Sequence, residues 1–320
     1  MPRYHARPVS RHALPRGKFG VKLAQRTLVS AAALLVSTAA LAQQQDFSKV
    51  EITTQQVAKN LYMLMGSGGN MALSTGADGS VLVDTEYAPL NAKIRAAVKA
   101  AGGSDVKFVI NTHYHGDHTG GNEPFGKAGA LIVAQDNVRI RMSTEQFMAA
   151  FNQKIPPSPA AALPKITFPT RATFHWNGNT VNAFHVDNAH TDGDSIVQFA
   201  NLNVVHMGDT YVKDQYPLID RSANGSLDGF ITAAEAVLAR SDSGTKIIPG
   251  HGDLANKSDL QRFHDMLVTA RASIKALVDR GKTEDEAVAA KPTALLDEQW
   301  GKGFMKADDF VRMAYQSLKR

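Results

Sequence analysis

Residues 111–122 read Asn-Thr-His-Tyr-His-Gly-Asp-His-Thr-Gly-Gly-Asn and follow a strand-like apolar run, Val106–Ile110. Four potential metal ligands fall within six positions of this stretch: His113, His115, Asp117 and His118. Imidazole nitrogen and carboxylate oxygen suit zinc, and alternation along an extended segment projects the first two rings the same way. Such polar groups would pack poorly in a core without partners. The stretch therefore predicts a metal site at a strand end, where Asp117 and His118 could serve a second metal. A His-rich surface loop is the alternative.

Three further motifs follow in order: Ala-His190-Thr-Asp-Gly-Asp, Met-Gly-Asp209-Thr and Pro-Gly-His251-Gly. Together with His-x-His-x-Asp-His at residues 113–118, they resemble the signature of the metallo-β-lactamase superfamily. The resemblance covers residues 50–255 approximately. It implies a mixed α/β (α+β) fold, the αββα sandwich, with a dinuclear metal site at one edge of the two sheets. Strand-like and helix-like segments in both halves of the chain also favour two sheets covered by helices.

The resemblance assigns ligands position by position. Seven side chains are implied: His113, His115 and His190 for a first zinc ion, Asp117, His118 and His251 for a second, and Asp209 as a bridge between them. The expected cofactor is two Zn²⁺ per chain. Asp117 and Asp209 are further expected to set charge and orientation during catalysis.

Three other residues are candidates for supporting roles. Asp84 ends the apolar run Val-Leu-Val and resembles the family's aspartate that orients a ligand or a loop amide. Lys213 and Asn224 lie near positions where one class of metallo-β-lactamases contacts the substrate, so either could contact it here. A turn and a helix start at residues 224–229 would also explain Asn224 without any substrate.

Charge and composition restrict the function classes. The chain has 320 residues with 35 Lys and Arg against 30 Asp and Glu. Residues 1–42 contain seven of the basic residues and no acidic one, so the remainder has a formal charge of −2. This balance argues against a nucleic-acid partner. Cysteine is absent, which excludes disulfides and thiolate ligands and separates the chain from family members with cysteine at the Asp209 position.

Residues 1–42 have the pattern of an export signal. Basic residues precede an apolar run at residues 28–41, and the segment ends in Ala40-Leu41-Ala42, the small-residue pattern that signal peptidase requires. We expect cleavage after Ala42 and a periplasmic or secreted mature protein with no membrane segment. An uncleaved membrane anchor is the alternative, but the run is short for a spanning helix.

The rest of the chain divides into a catalytic core at residues 43–257 and a mostly helical segment at residues 258–320 packed on it. Periodicity predicts one helix over residues 136–153. The five prolines of residues 154–169 predict a surface loop or flap. Asn177-Gly178 predicts a hairpin turn. Residues 258–261 and 283–286 both have the form of a helix capping box.

The leading hypothesis is an exported dinuclear zinc hydrolase that opens a cyclic amide or ester through attack of a metal-bound hydroxide. β-Lactam hydrolysis is the most concrete candidate for this small-molecule substrate. Alternatives are a lactonase or glyoxalase-like thioesterase, and an exported metal-binding protein without turnover. The sequence leaves the oligomeric state open.

Overall fold

The computed structural model describes residues 46–319, so the predicted export signal lies outside the described residues. Fifteen strands are present in this part of the chain: β1 (Thr53–Ala58), β2 (Leu61–Met65), β3 (Met71–Ser74), β4 (Ser80–Val83), β5 (Val106–Ile110), β6 (Leu131–Gln135), β7 (Gln146–Met148), β8 (Gln153–Ile155), β9 (Ile166–Phe168), β10 (Arg171–Trp176), β11 (Asn179–His185), β12 (Ser195–Phe199), β13 (Val204–His206), β14 (Lys246–Ile248) and β15 (Ala255–Asn256). Nine helices accompany them: α1 (Asn91–Ala100), α2 (Gly116–Thr119), α3 (Asn122–Lys127), α4 (Asp136–Met142), α5 (Leu227–Leu238), α6 (Lys257–Asp279), α7 (Glu284–Ala289), α8 (Asp297–Trp300) and α9 (Ala307–Leu318).

The strands form two large sheets and one separate hairpin. The first sheet has the order β1-β2-β3-β4-β5-β6-β9, the second has the order β10-β11-β12-β13-β14-β15, and β7 pairs only with β8. Within the first sheet β4, β5, β6 and β9 run parallel, and the other pairings are antiparallel. The hairpin predicted at Asn177-Gly178 is confirmed, because it joins the antiparallel strands β10 and β11.

The two sheets pack face to face, as the predicted sandwich requires. One buried cluster combines Val83 and Ile110 from the first sheet with Val181, Val197 and Ile248 from the second. A second cluster packs α1 on the outer face of the first sheet, and a third joins the second sheet to α5, α6 and α9. Helices thus cover both outer faces, and the αββα arrangement is confirmed.

One local prediction is wrong, and another holds for only part of its segment. The helix predicted over residues 136–153 ends at Met142, and the β7–β8 hairpin follows it. The hydroxyls of Ser143 and Thr144 both donate to the Ile140 carbonyl, at 2.9 and 3.0 Å, and such bonds compete with continuation of a helix. The loop predicted over residues 154–169 is present at residues 156–165, whereas residues 166–168 form strand β9. This strand lies at the sheet edge, where flanking prolines are tolerated.

Helix starts were predicted with mixed success. The capping box at Thr283 is confirmed. The long helix α6 begins two residues earlier than predicted, because its box uses Asn256 with Asp259 rather than Ser258 with Gln261. Within the described part of the chain, no helix combines the length and the apolar character that crossing a membrane requires.

Strand ends bring the predicted ligands to one edge of the sandwich. β5 ends at Ile110, immediately before the His113 motif, whereas Asp209 and His251 follow the parallel neighbours β13 and β14. Parallel neighbours end at the same sheet edge. The Ser195 amide of β12 donates to the Thr112 carbonyl at 2.7 Å, which ties the two sheets together beside this edge.

Candidate metal centre

The first group of potential ligands contains His113, His115 and His190. These buried rings approach one another with one nitrogen of each ring within 4.8 Å of the others. The closest pair is His115 Nδ1 and His190 Nε2, which are 2.8 Å apart. The structure thus brings together the three side chains that the sequence assigned to a first metal.

The second group contains Asp117, His118 and His251, and Asp209 lies between the two groups. Asp117 Oδ2 is 3.6 Å from His118 Nε2 and 3.2 Å from His251 Nε2. Asp209 Oδ1 is 3.0 Å from His118 Nε2, and its Oδ2 is 3.5 Å from His251 Nε2.

Asp209 Oδ2, the oxygen that faces His251, also reaches the first group. Asp209 Oδ2 is 3.6 Å from His190 Nε2 and 4.0 Å from His113 Nε2. One carboxylate therefore touches both groups, in the position that the resemblance implied for a bridging ligand.

Hydrogen bonds on the far side of two rings show which nitrogens are free to bind a cation. His190 Nδ1 lies 2.7 Å from the Leu218 carbonyl, and His115 Nε2 lies 3.0 Å from Asp220 Oδ2. Both acceptors call for a proton on those nitrogens, which assigns the tautomers and leaves His190 Nε2 and His115 Nδ1 as bare lone pairs. Two lone pairs facing each other at 2.8 Å are repulsive unless a cation lies beside them.

Asp84 fixes the other two buried rings. It accepts a hydrogen bond from His118 Nδ1 at 2.8 Å and from the Thr112 hydroxyl at 2.7 Å. The Thr112 oxygen in turn lies 3.0 Å from His113 Nδ1, so it can accept from that ring. The structure thus places Asp84, which is fully buried, in the orienting position expected from the sequence.

Unsatisfied atoms and local charge both fit a cation at this site. His113 Nε2, His118 Nε2 and Asp209 Oδ1 are buried and have no hydrogen bond of acceptable geometry, although the last two atoms lie 3.0 Å apart. Buried polar atoms normally have a partner, and a metal ion would supply it here. The donor set of imidazole nitrogens and carboxylate oxygens is the set that divalent transition metals prefer.

The pKa values of two histidines reflect these surroundings. Burial, together with the neighbouring His115, lowers the pKa of His190 to about 4, so this ring is neutral and able to bind a metal. Burial also opposes protonation of His118, but Asp209, Asp117 and Asp84 raise its pKa well above the ordinary value. Three carboxylates around one ring mark a strongly negative environment, which a bound divalent cation would neutralise.

Asp220 is a site residue that the sequence reasoning missed. It is 1% exposed, and its Oδ2 accepts from both His115 Nε2 and the Tyr114 hydroxyl, the latter at 2.8 Å. Its Oδ1 accepts from the Ser222 amide and hydroxyl at 2.9 and 2.8 Å. Asp220 lies outside the four motifs, so no local pattern in the sequence marked it.

The two predicted substrate contacts, Lys213 and Asn224, both have other partners in the structure, and contact of either residue with a substrate stays a prediction. Lys213 does not line the cavity beside the metal centre, because its Nζ donates to the Leu254 carbonyl at 3.1 Å and lies 3.8 Å from Asp259. Asn224 has a left-handed backbone with φ of 61°, and its amide donates to Asp192 at 2.8 Å. Both residues have structural partners, and the turn explanation for Asn224 is the one that the structure supports.

A cavity of about 760 Å³ opens beside the metal centre. His115, Asp117, Asp209 and His251 form part of its lining, so the candidate ligands face a space large enough for a small molecule.

The fold and the two ligand groups define a metal-binding αββα sandwich. The chain belongs to the metallo-β-lactamase superfamily, because the model of the family described as "Metallo-beta-lactamase superfamily" matches residues 65–251.

Solved structures share the fold at low sequence identity. A metallo-β-lactamase from Pontibacter korlensis is 19% identical with a TM-score of 0.55, over 68% of this chain and 99% of that chain. The metallo-β-lactamase FIM-1 from Pseudomonas aeruginosa, in a mono-zinc form, is 20% identical with a TM-score of 0.55, over 69% and 96% of the two chains. The inverting sec-alkylsulfatase Pisa1 from Pseudomonas sp. is 16% identical with a TM-score of 0.65, over 83% of this chain and 50% of that chain.

Proposed function

We propose that the protein is a zinc-dependent hydrolase that opens an amide or ester bond of a small molecule. The observation that carries the proposal is Asp209, which touches both ligand groups and also lines the cavity. Such a shared carboxylate suits a pair of metal ions and is not needed for a single structural ion. A metal-binding protein without turnover would not need the adjoining cavity.

Zinc is the proposed metal, with two ions per chain. Three histidines of the first group offer the three nitrogens typical of a catalytic zinc site with an open position. Asp117, His118 and His251 offer a second set of ligands on the other side of Asp209. A zinc pair supplies Lewis acidity and an activated water near neutral pH.

The chain's own residues would orient the metal ligands and position the reactants. Asp84 and Asp220 fix the rings of three ligands through the hydrogen bonds described above. Asp117 and Asp209 line the cavity, so their carboxylates can accept a proton or orient a water beside the reacting carbonyl. No side-chain nucleophile is needed in this scheme.

Two substrate classes remain candidates for this reaction. β-Lactams are the first, because two of the structural neighbours described above are metallo-β-lactamases. Lactones and open-chain esters or thioesters are the second. They are favoured by the cavity lining, because none of the described residues that form it is Lys or Arg, and neither Lys213 nor Asn224 reaches it.

The test is hydrolysis by zinc-loaded mature protein, with and without a chelator. The panel contains a cephalosporin, a carbapenem, a γ-lactone, a thioester and, because of the alkylsulfatase neighbour, a secondary alkyl sulfate. We expect chelator-sensitive turnover of at least one amide or ester, and loss of both zinc and turnover in Asp209→Ala. A metal-replete protein that hydrolyses no amide, carboxylic ester or thioester of the panel, whether or not it cleaves the alkyl sulfate, would contradict the proposal, as would turnover that survives chelation.

Export is proposed on the leader alone. We expect the mature chain to begin after Ala42 and to be found in the periplasm or medium. N-terminal sequencing of fractionated cells tests this, and an intact cytoplasmic chain would contradict it.

A further inference from the structure

The lining of the cavity includes an apolar side, formed by segments from two distant parts of the chain. Met148, Phe151 and Ile155 come from the β7–β8 hairpin and its turn, whereas Phe304 and Met305 come from the segment between α8 and α9. The rings of Phe151 and Phe304 lie 5.8 Å apart at a tilted angle. Hydrophobic side chains thus converge over the space into which the candidate ligands face.

Both aromatic rings are exposed to an extent that core packing does not explain. Phe151 is 43% exposed and Phe304 is 72% exposed. A pair of large exposed rings beside a cavity gains free energy when an apolar group covers it, and such patches commonly mark ligand-binding surfaces. The pair therefore presents a surface suited to an alkyl chain or an aromatic ring.

Backbone groups anchor both segments of this surface to residues 215–222. The amide of Phe304 donates to Gln215 at 3.2 Å, and a β-bridge joins Met305 to Tyr216. On the other side, the Ala149 amide donates to the Ser222 hydroxyl at 2.9 Å, next to Asp220. Both segments are thus anchored to the loops that carry the site.

Charge restricts what the cavity accepts away from the metals. Asp117 and Asp209 belong to the metal centre, which leaves Glu123 as the carboxylate of the lining away from the metals, and the described lining residues include no Lys or Arg. An anionic substituent that extends within this cavity would lose hydration without gaining a cationic side chain as a partner. An uncharged apolar substituent incurs no such cost.

Part of the apolar side lies outside the residues that the family model matches. The family match ends at residue 251, whereas Phe304 and Met305 belong to the C-terminal segment. These residues can therefore set the specificity of this chain without altering the ligands that it shares with the family.

We propose that Phe151 and Phe304, with Met148 and Ile155, form the subsite for an uncharged apolar substituent, so that the substrate is a lactone or ester bearing an alkyl or aryl group. This inference rests on the proposed hydrolase function and selects within it against substrates that carry a carboxylate, as β-lactam antibiotics do. Phe151 and Phe304 are specificity-determining residues in this account and take no part in the chemical step.

The test compares three lactones of increasing chain length: γ-butyrolactone, γ-octalactone and γ-undecalactone. A fourth lactone has a side chain as long as that of γ-undecalactone but ends in a carboxylate. The zinc-loaded protein should show kcat/KM rising with chain length, by up to about fourfold for each methylene group that becomes fully buried. The carboxylate-ended lactone should lose most of that gain.

Variants locate the effect on the proposed subsite. Phe151→Ala and Phe304→Ala should each reduce kcat/KM for the long lactone by about tenfold and leave γ-butyrolactone within about twofold. Phe147→Ala is the matched control, because Phe147 is 50% exposed on the same hairpin but does not line the cavity. Phe147→Ala should have the same kcat/KM as the unsubstituted protein for both lactones.

Binding of 1-octanol to the zinc-loaded protein, measured by calorimetry, supplies a readout without turnover. Binding should weaken about tenfold in Phe151→Ala and Phe304→Ala and be unchanged in Phe147→Ala.

The inference and the proposed function fail separately. Hydrolysis of lactones without any chain-length dependence, a preference for the carboxylate-ended chain, or hydrolysis of β-lactams alone would overturn the inference and leave the hydrolase function standing. An affinity for 1-octanol that is unchanged in both Phe151→Ala and Phe304→Ala would also overturn the inference. A metal-replete protein that hydrolyses no amide or ester would instead overturn the proposed function.

Discussion

Replacement of Asp220 by asparagine should weaken metal binding in the first ligand group. Both oxygens of this buried carboxylate accept hydrogen bonds: Oδ2 from His115 and Tyr114, and Oδ1 from Ser222. An asparagine must direct its NH₂ group toward one of these sets of donors. If that group faces His115 Nε2, the ring can no longer donate there, and its proton moves to Nδ1, the atom that should bind the metal.

The size of the effect follows from this loss of orientation. Substitution of residues that orient metal ligands typically weakens metal binding by about 10- to 100-fold. This corresponds to about 1.4 to 2.8 kcal/mol of binding free energy. The site built on His118 has its own orienting carboxylate, Asp84, so its affinity should change much less.

A competitive chelator titration of zinc, fitted with two sites, measures both affinities in one experiment. Asp192→Asn is the control, because it removes the ion pair with Arg141, whose shortest distance is 2.6 Å, without touching a candidate ligand side chain. Folding of each variant is checked by thermal unfolding. If folded Asp220→Asn binds zinc at both sites as tightly as the unsubstituted protein, the orienting role of Asp220 is refuted.

Three further substitutions have different expected effects. Asp84→Asn should weaken zinc binding about 10- to 100-fold at the site that includes His118, and equal affinities in the same titration would contradict this. Gly69→Ala should reduce zinc content, since an added Cβ would lie 2.0 Å from the His118 ring, whereas Gly244→Ala, whose Cβ meets nothing closer than 3.4 Å, should retain it by elemental analysis. Asn256→Ala should lower the free energy of unfolding by about 1 kcal/mol through loss of a helix cap, with unchanged zinc content, and unaltered stability in denaturant titrations would refute that role.

The grouping of the candidate ligands was predictable because their chemistry is concentrated in short motifs. His113, His115 and His118 follow one strand closely enough that local geometry determines their grouping. Asp209 and His251 follow parallel neighbouring strands, so a correct fold assignment also places them together.

Asp220 and Phe304 could not be predicted in the same way. Asp220 meets His115 across 105 positions of sequence, and nothing around it forms a pattern. Phe304 reaches the cavity only because the C-terminal helices fold back over the second sheet. The sequence also does not show that the side chain of Lys213, a predicted substrate contact, donates to the Leu254 carbonyl.

The central claim is that Asp209 lies between two metal ions held by separate ligand groups. Anomalous diffraction from crystals of the zinc-loaded protein tests it most directly. We predict two zinc peaks, one among His113, His115 and His190 and the other among Asp117, His118 and His251, with Asp209 in contact with both. A single fully occupied peak under saturating zinc, or zinc bound away from Asp209, would contradict the account.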